Sequence, residues 1–265
     1  MLLSIIDEID ELEGVSTPLA IAILIVAALI IVVGIISGFI SIWLAIRYLK
    51  YNSKKNSAGI TGVEAARKIL DDNGLQNIKV SVVGSLLFGN SYSHYFKKVR
   101  LRRFTRKKKS ISSLAMGSQK AALAVMDKEN DPAMVARIRL TPFTYFGPLL
   151  FLPIIIIGAL LDYVVFNGKG FVTIVAAVVG VTLYLIAFIF SILALKTEKK
   201  AQEKAIQILH DENMATTDEI EDIKSLFHLY NIQYVNDMIL AMLELIYRVL
   251  MIIAKIQQSS SKKSN

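Results

Sequence analysis

The chain has 265 residues, 54% of them hydrophobic, against roughly 45–50% in soluble domains, so it calls for lipid-buried surface. It has no cysteine, which excludes disulfides, Cys-ligated zinc and thiol nucleophiles. Its formal charge of +8 points to anionic partners such as phospholipid or nucleic acid.

Residues 1–18 form an acidic N-terminal extension with Asp7, Glu8, Asp10, Glu11 and Glu13. A cleaved signal peptide would carry a basic lead and a shorter apolar region. Residues 19–46 hold no charge and follow Pro18. About 20 apolar residues at ~1.5 Å each cross a ~30 Å hydrocarbon core, so this run is read as transmembrane helix 1. Within it, Gly34 and Gly38 make a GxxxG pair, with Ser37 and Ser41 close by. Small residues let backbones approach, either within this chain or in a homo-oligomer.

Residues 47–139 read as a small, basic α+β domain. Thr61-Gly62-Val63-Glu64 predicts a capping box at a helix start. That helix runs through Ala65, Ala66, Ile69 and Leu70 and stops at Gly74, a C′ residue. Ile78, Val80 and Val82 alternate with polar residues as a strand does, and so do Val99 and Leu101. Ser110 to Met126 predicts a helix.

Of the 30 Lys and Arg residues, 20 lie between Arg47 and Arg139, against six acids. The densest run holds Lys97, Lys98, Arg100, Arg102, Arg103, Arg106, Lys107, Lys108 and Lys109. Near a bilayer such residues attract anionic headgroups, at about 1 kcal/mol each. Phe104, Tyr92 and Tyr95 are candidates to stack on bases. No RNA-binding motif accompanies them, so membrane lipid is the expected partner and nucleic acid is disfavoured.

Residues 140–161 are a second uncharged run, ended by Asp162, with Pro148 and Pro153 predicting kinks. Residues 171–195 are a third. Asn167, Gly168 and Gly170 predict a tight turn between them, hence an antiparallel hairpin. Residues 196–237 are charged and helical, with an acidic stretch from Asp211 to Asp222. Residues 238–254 are apolar but contain Glu244 and Arg248, spaced i,i+4. They either span the bilayer as a paired couple or lie on it, or against the other helices. Residues 255–265 are a polar tail. Lys and Arg after the first run place the N-terminus outside and residues 47–139 in the cytoplasm of a multi-pass cell-membrane protein.

This order of features resembles the YugP-type family of membrane zinc metallopeptidases. The matching residues are Gly59-Ile60-Thr61-Gly62 with Glu64, Ala66, Arg67, Ile69 and Leu70. Asn73-Gly74-Leu75, Val80, Val82, Gly84 and Val99-Arg100-Leu101 follow, then Pro153 to Gly158 and Tyr234-Val235. The resemblance covers roughly residues 45–254. It implies a mostly α integral membrane protein, with three or four transmembrane helices and a small α+β, zincin-like cytosolic domain.

It also implies zinc held by an HExxH helix after the "VRL" strand and a Ser-Ile pair. Two His at i and i+4 would bind the metal, and the Glu between them would act on its water. Carried onto Ser110-Ile111, those positions are Gln119, Lys120 and Leu123. Leu cannot ligate, and Lys120 would repel the cation. The family's third ligand position, Glu198, is kept, followed by Lys199, Lys200, Ala201 and Gln202. The family's "DHYDP" segment reads Asn90-Ser91-Tyr92-Ser93-His94.

The resemblance therefore implies a pseudopeptidase without zinc or another cofactor, acting as a membrane binding or scaffold protein that holds another membrane protein, caps a true protease or scaffolds an assembly. One alternative is an active peptidase with a non-standard metal site built from His94, Glu198 and one other group. The other is an anionic-lipid-docking module. His210 and His228 make no metal motif. Ser110, Ser112 and Ser113 read as helix-start residues rather than nucleophiles, because no GxSxG accompanies them.

Overall fold

The structure, a computed structural model, describes residues 15–83, 89–165 and 171–264. The acidic residues from Asp7 to Glu13, Gly84 and the turn residues Asn167, Gly168 and Gly170 lie outside the described residues, as do the side chains of Val82, Phe104, Arg106 and Pro148. In chain order the elements are α1 (Thr17–Ser53), α2 (Gly62–Asp72), β1 (Lys79–Val83), β2 (Ser91–Ser93) and β3 (Lys98–Arg102). There follow α3 (Arg103–Lys107), α4 (Ile111–Lys128), α5 (Pro132–Val165), α6 (Phe171–Asp211) and α7 (Thr217–Ser264).

Among the described residues two helices are long and apolar enough to cross a membrane, α1 with 37 residues and α6 with 41. This corrects the expectation of three or four transmembrane helices. The described apolar stretch of α5, Pro153–Val165, is shorter. The apolar part of α7 lies between Asp237 and Lys255 and carries Glu244 and Arg248, too many charges for such a segment. The sheet is also small and open. Its order is β1-β3-β2, with β1 parallel and β2 antiparallel to β3. The short β2 was not evident in the sequence.

The chain divides into two compact units. The first holds residues up to 39, 141–192 and from 235 onward. In its core Ile23, Ala27 and Ile30 of α1 pack with Tyr247, Met251 and Ala254 of α7. Both triplets have i, i+4, i+7 spacing, one face of a helix. Asp162, 3% exposed, accepts hydrogen bonds from the backbone N–H (2.6 Å) and hydroxyl (2.7 Å) of Thr173 at the start of α6. Gly158 lets the α5 and α6 backbones approach, since a side chain there would collide with Ala176. Side chains built at Gly34 and Gly38 would meet nothing within 4 Å in this chain.

The second unit, residues 40–140 and 193–234, is built around α4, which is buried from Ile111 to Met126. Against it pack Ala65, Ala66, Ile69 and Leu70 of α2, Val99 and Leu101 of β3, Ala201, Ala205 and Leu209 of α6, and Ile223 and Leu226 of α7. The α2 start carries the expected capping box, with Thr61 Oγ1 accepting from Glu64 N–H and Glu64 accepting from Thr61 N–H. Its end is closed by Gly74 at φ +67°, a left-handed conformation that favours glycine. Gly62 and Gly117 let α2 lie against α4 at backbone distance. A methyl at Gly62 would come within 2.5 Å of the Thr105 carbonyl and 2.6 Å of the Ser113 carbonyl.

Candidate functional site

A helix buried on all sides is normally apolar all round. In α4 that holds for Leu114, Ala121 and Leu123, but Gln119 and Lys120 are also buried, at 4% and 8% exposure. Buried polar groups need partners. Both turn to the same carboxylate. Gln119 Nε2 donates to Glu198 Oε2 at 2.9 Å, and Lys120 Nζ donates to that oxygen at 2.8 Å. The other oxygen, Oε1, accepts from Arg137 Nη1 at 2.7 Å. Residues from α4, α5 and α6 thus converge on Glu198. Leu123 lies in the apolar core at 1% exposure.

Glu198 lies past the apolar run of α6. Burial alone would push its carboxyl up. The charges and hydrogen bonds of Lys120 and Arg137 outweigh that and hold it down at about 2. The carboxylate is therefore ionised and flanked by two cations, leaving the cluster with a surplus positive charge.

Gln119, Lys120 and Glu198 form one wall of a cavity of about 300 Å³, also lined by Arg102, Tyr230 and Tyr234. Burial, with Tyr48 adding to it, pushes the Tyr230 hydroxyl up to about 12, so it stays a neutral donor. Gln202 and Asn231, on the same wall, form a reciprocal amide pair at 3.0 and 2.8 Å.

These residues do not fit zinc. A zinc site needs three or four N, S or O ligands. Here the single carboxylate is taken up on both oxygens, an ammonium sits beside it, and Leu123 offers no donor. Among the described residues no group of three or more His, Cys, Asp and Glu is placed to hold a metal ion.

His94 and Glu198 belong to different clusters. His94 Nδ1 lies 2.7 and 2.9 Å from the Asp127 oxygens. Tyr92 donates its hydroxyl to Asp127 at 2.5 Å, and Lys97 lies 3.6 Å away. Burial raises the Asp127 carboxyl, but the hydrogen bonds of Tyr92 and His94 outweigh it and leave it below its ordinary value. His210 is paired with Asp211 at the surface, and His228 is exposed. Ser110, Ser112 and Ser113 are buried and bonded among themselves and to Asn52.

In the basic run Arg102, Arg103, Lys107, Lys108 and Lys109 are exposed, and Lys98 and Arg100 are partly so. Lys97 sits in the β2–β3 turn at φ +44°. Beside it Tyr95 and Phe96 are 62% and 70% exposed, with the Arg100 guanidinium 5.5 Å from the Phe96 ring. Sequence reasoning missed Arg137 and Asp127. An arginine near the start of an apolar run, and an acid in the last turn of α4, were the only signals.

A family model described as "Putative neutral zinc metallopeptidase" matches residues 25–253. The "Putative membrane protease YugP" of Bacillus subtilis (strain 168) is 29% identical over 201 residues, covering 74% of this chain and 83% of that protein. No solved structure matches the chain.

Proposed function

The chain belongs to the neutral zinc metallopeptidase family whose model spans residues 25–253, and we propose that it is a non-hydrolytic member that acts by binding at the membrane. One observation carries this reading. The Lys120 ammonium is bonded at 2.8 Å to Glu198, the family ligand position that the chain retains. A charged Lys120 has no proton-accepting lone pair, so it cannot serve as the base that the family's Glu supplies. The Glu198 oxygens are spent on Gln119, Lys120 and Arg137.

The apolar helices α1 and α6 would anchor the chain in the cell membrane. Arg47, Lys50, Lys54 and Lys55 favour an outside N-terminus and cytoplasmic residues 47–139. In this role it holds or caps another membrane protein. Metal analysis and peptide cleavage on the purified full chain test the reading. No zinc and no cleavage are expected. About one zinc per chain, with cleavage abolished by a chelator, would overturn it.

A second, compatible reading is docking on anionic lipid, supported by the exposed Tyr95 and Phe96 beside Lys97 and Lys98. Aromatic rings settle at the headgroup level and lysines add attraction to anionic headgroups. A Phe96→Trp variant in a Trp43→Phe background reports contact in nanodiscs. Brominated acyl chains should quench it in anionic discs, and less after Lys97→Glu and Lys98→Glu. Equal emission in all discs would remove this reading.

A further inference from the structure

The cavity beside Glu198 has the chemistry of an anion site rather than a cation site. Lys120 and Arg102 line it, and Glu198 is the one carboxylate in the lining. The lining therefore holds more positive than negative charge. Lys120 has three N–H donors and spends one on Glu198. Its ammonium is nearly buried, with 10% of the side chain exposed, so its remaining donors lack bulk water. A second carboxylate would satisfy them and offset the surplus charge, at a distance where low dielectric strengthens the attraction.

The rest of the lining narrows the ligand. Met116 and Leu195 supply an apolar wall. Gln202 and Asn231 each use one N–H and one carbonyl lone pair on the other. Each keeps one N–H and one acceptor, the same complement a peptide unit presents. A cavity of about 300 Å³ is at the small end of ligand sites. It suits one or two residues rather than a long chain.

We propose that this cavity binds the C-terminal carboxylate of a peptide, with Lys120 and Arg102 on the carboxylate, Met116 and Leu195 on the last side chain, and the Gln202–Asn231 pair on the peptide unit before it. The assignment rests on the non-hydrolytic reading, since a peptide end held beside a working metal centre would be substrate or product.

The test is calorimetric titration of the purified full chain with acetyl-Ala-Leu bearing a free carboxylate, its C-terminal amide, acetate and inorganic phosphate. The free acid should bind at least ten-fold more tightly than the other three. Lys120→Met should weaken it ten-fold or more, and Lys120→Arg should restore most of the loss. Arg102→Gln, at an exposed position, should weaken it several-fold. Equal binding of acid and amide overturns the proposal, and so does undiminished binding in both Lys120→Met and Arg102→Gln. Acetate or phosphate binding as tightly as the peptide acid also overturns the peptide assignment. Mass spectrometry of the recovered peptide separates the two readings. Hydrolysis of the Ala–Leu bond ends the non-hydrolytic reading, whereas intact peptide with no binding ends this site alone.

Discussion

Lys120 Nζ lies 2.8 Å from Glu198 Oε2, so a cation carried by the chain itself occupies one oxygen of the carboxylate that the family resemblance implies as a ligand position. Arg137, 2.7 Å from the other oxygen, makes the cluster a three-residue network rather than a pair. Because one anion holds two cations, the three members are not equivalent.

Glu198→Gln should be the most damaging change in the cluster. It removes the carboxylate from between a buried Lys120 and a partly buried Arg137, and breaking a buried pair costs about 3–5 kcal/mol. Lys120→Met should cost less, because Glu198 keeps Arg137 and Gln119. Thermal unfolding in detergent gives the ranking, and a Glu198→Gln protein as stable as Lys120→Met would contradict it.

Acid should destabilise the second unit through the same group. The Glu198 carboxyl is held near 2, below its ordinary 4.5. A depressed pKa contributes stability that is fully present above the unfolded value and is lost as pH falls through the folded one. The loss should therefore fall between about pH 4.5 and 2, and Glu198→Gln should flatten it. Unfolding midpoints measured across that window check the sign.

Metal binding should return if the family's side chains are restored. Gln119→His, Lys120→Glu and Leu123→His together put two imidazoles four residues apart on α4, with Gln119 already in contact with Glu198. Elemental analysis should then find about one zinc per chain, with zinc raising the unfolding midpoint. A metal-free triple variant that still folds would argue against assigning these positions as the lost ligands.

Gly117→Ala should destabilise the second unit, by about 1–3 kcal/mol or more, because its new methyl would collide with the Gly62 backbone and force α2 from α4. Gly34→Ala, where the chain leaves open space, should be close to neutral for folding. Denaturant midpoints of the two variants separate a packing glycine from one with no neighbour in the chain.

Local patterns were legible wherever short-range chemistry decides them. The Thr61–Glu64 box and Gly74 end a helix through groups within four residues of one another. Val80, Val99 and Leu101 alternate because strand side chains do. β2 was missed because Ser91-Tyr92-Ser93 has little apolar alternation and is held by pairing with β3. The expected three or four membrane helices exceed the two found among the described residues, where the apolar stretch of α5 is Pro153–Val165 and that of α7 carries Glu244 and Arg248. Arg137 and Asp127 were missed as partners because each acts on a residue distant in sequence, Glu198 and His94 respectively.

By itself the sequence determined that Gln119, Lys120 and Leu123 stand where the family resemblance implies His, Glu and His, and that a glutamate, Glu198, stands at the implied third ligand position. Side-chain identity alone is enough to remove zinc ligation there. Only the tertiary structure decided what replaced it. Gln119, Lys120 and Arg137 meet Glu198 from two other helices, 61 to 79 residues away in the chain. That convergence depends on how α4, α5 and α6 pack, and no local pattern encodes it. Burial then sets the energetics, because the same four side chains in water would interact weakly, whereas desolvated they bind one another and leave positive charge facing the cavity.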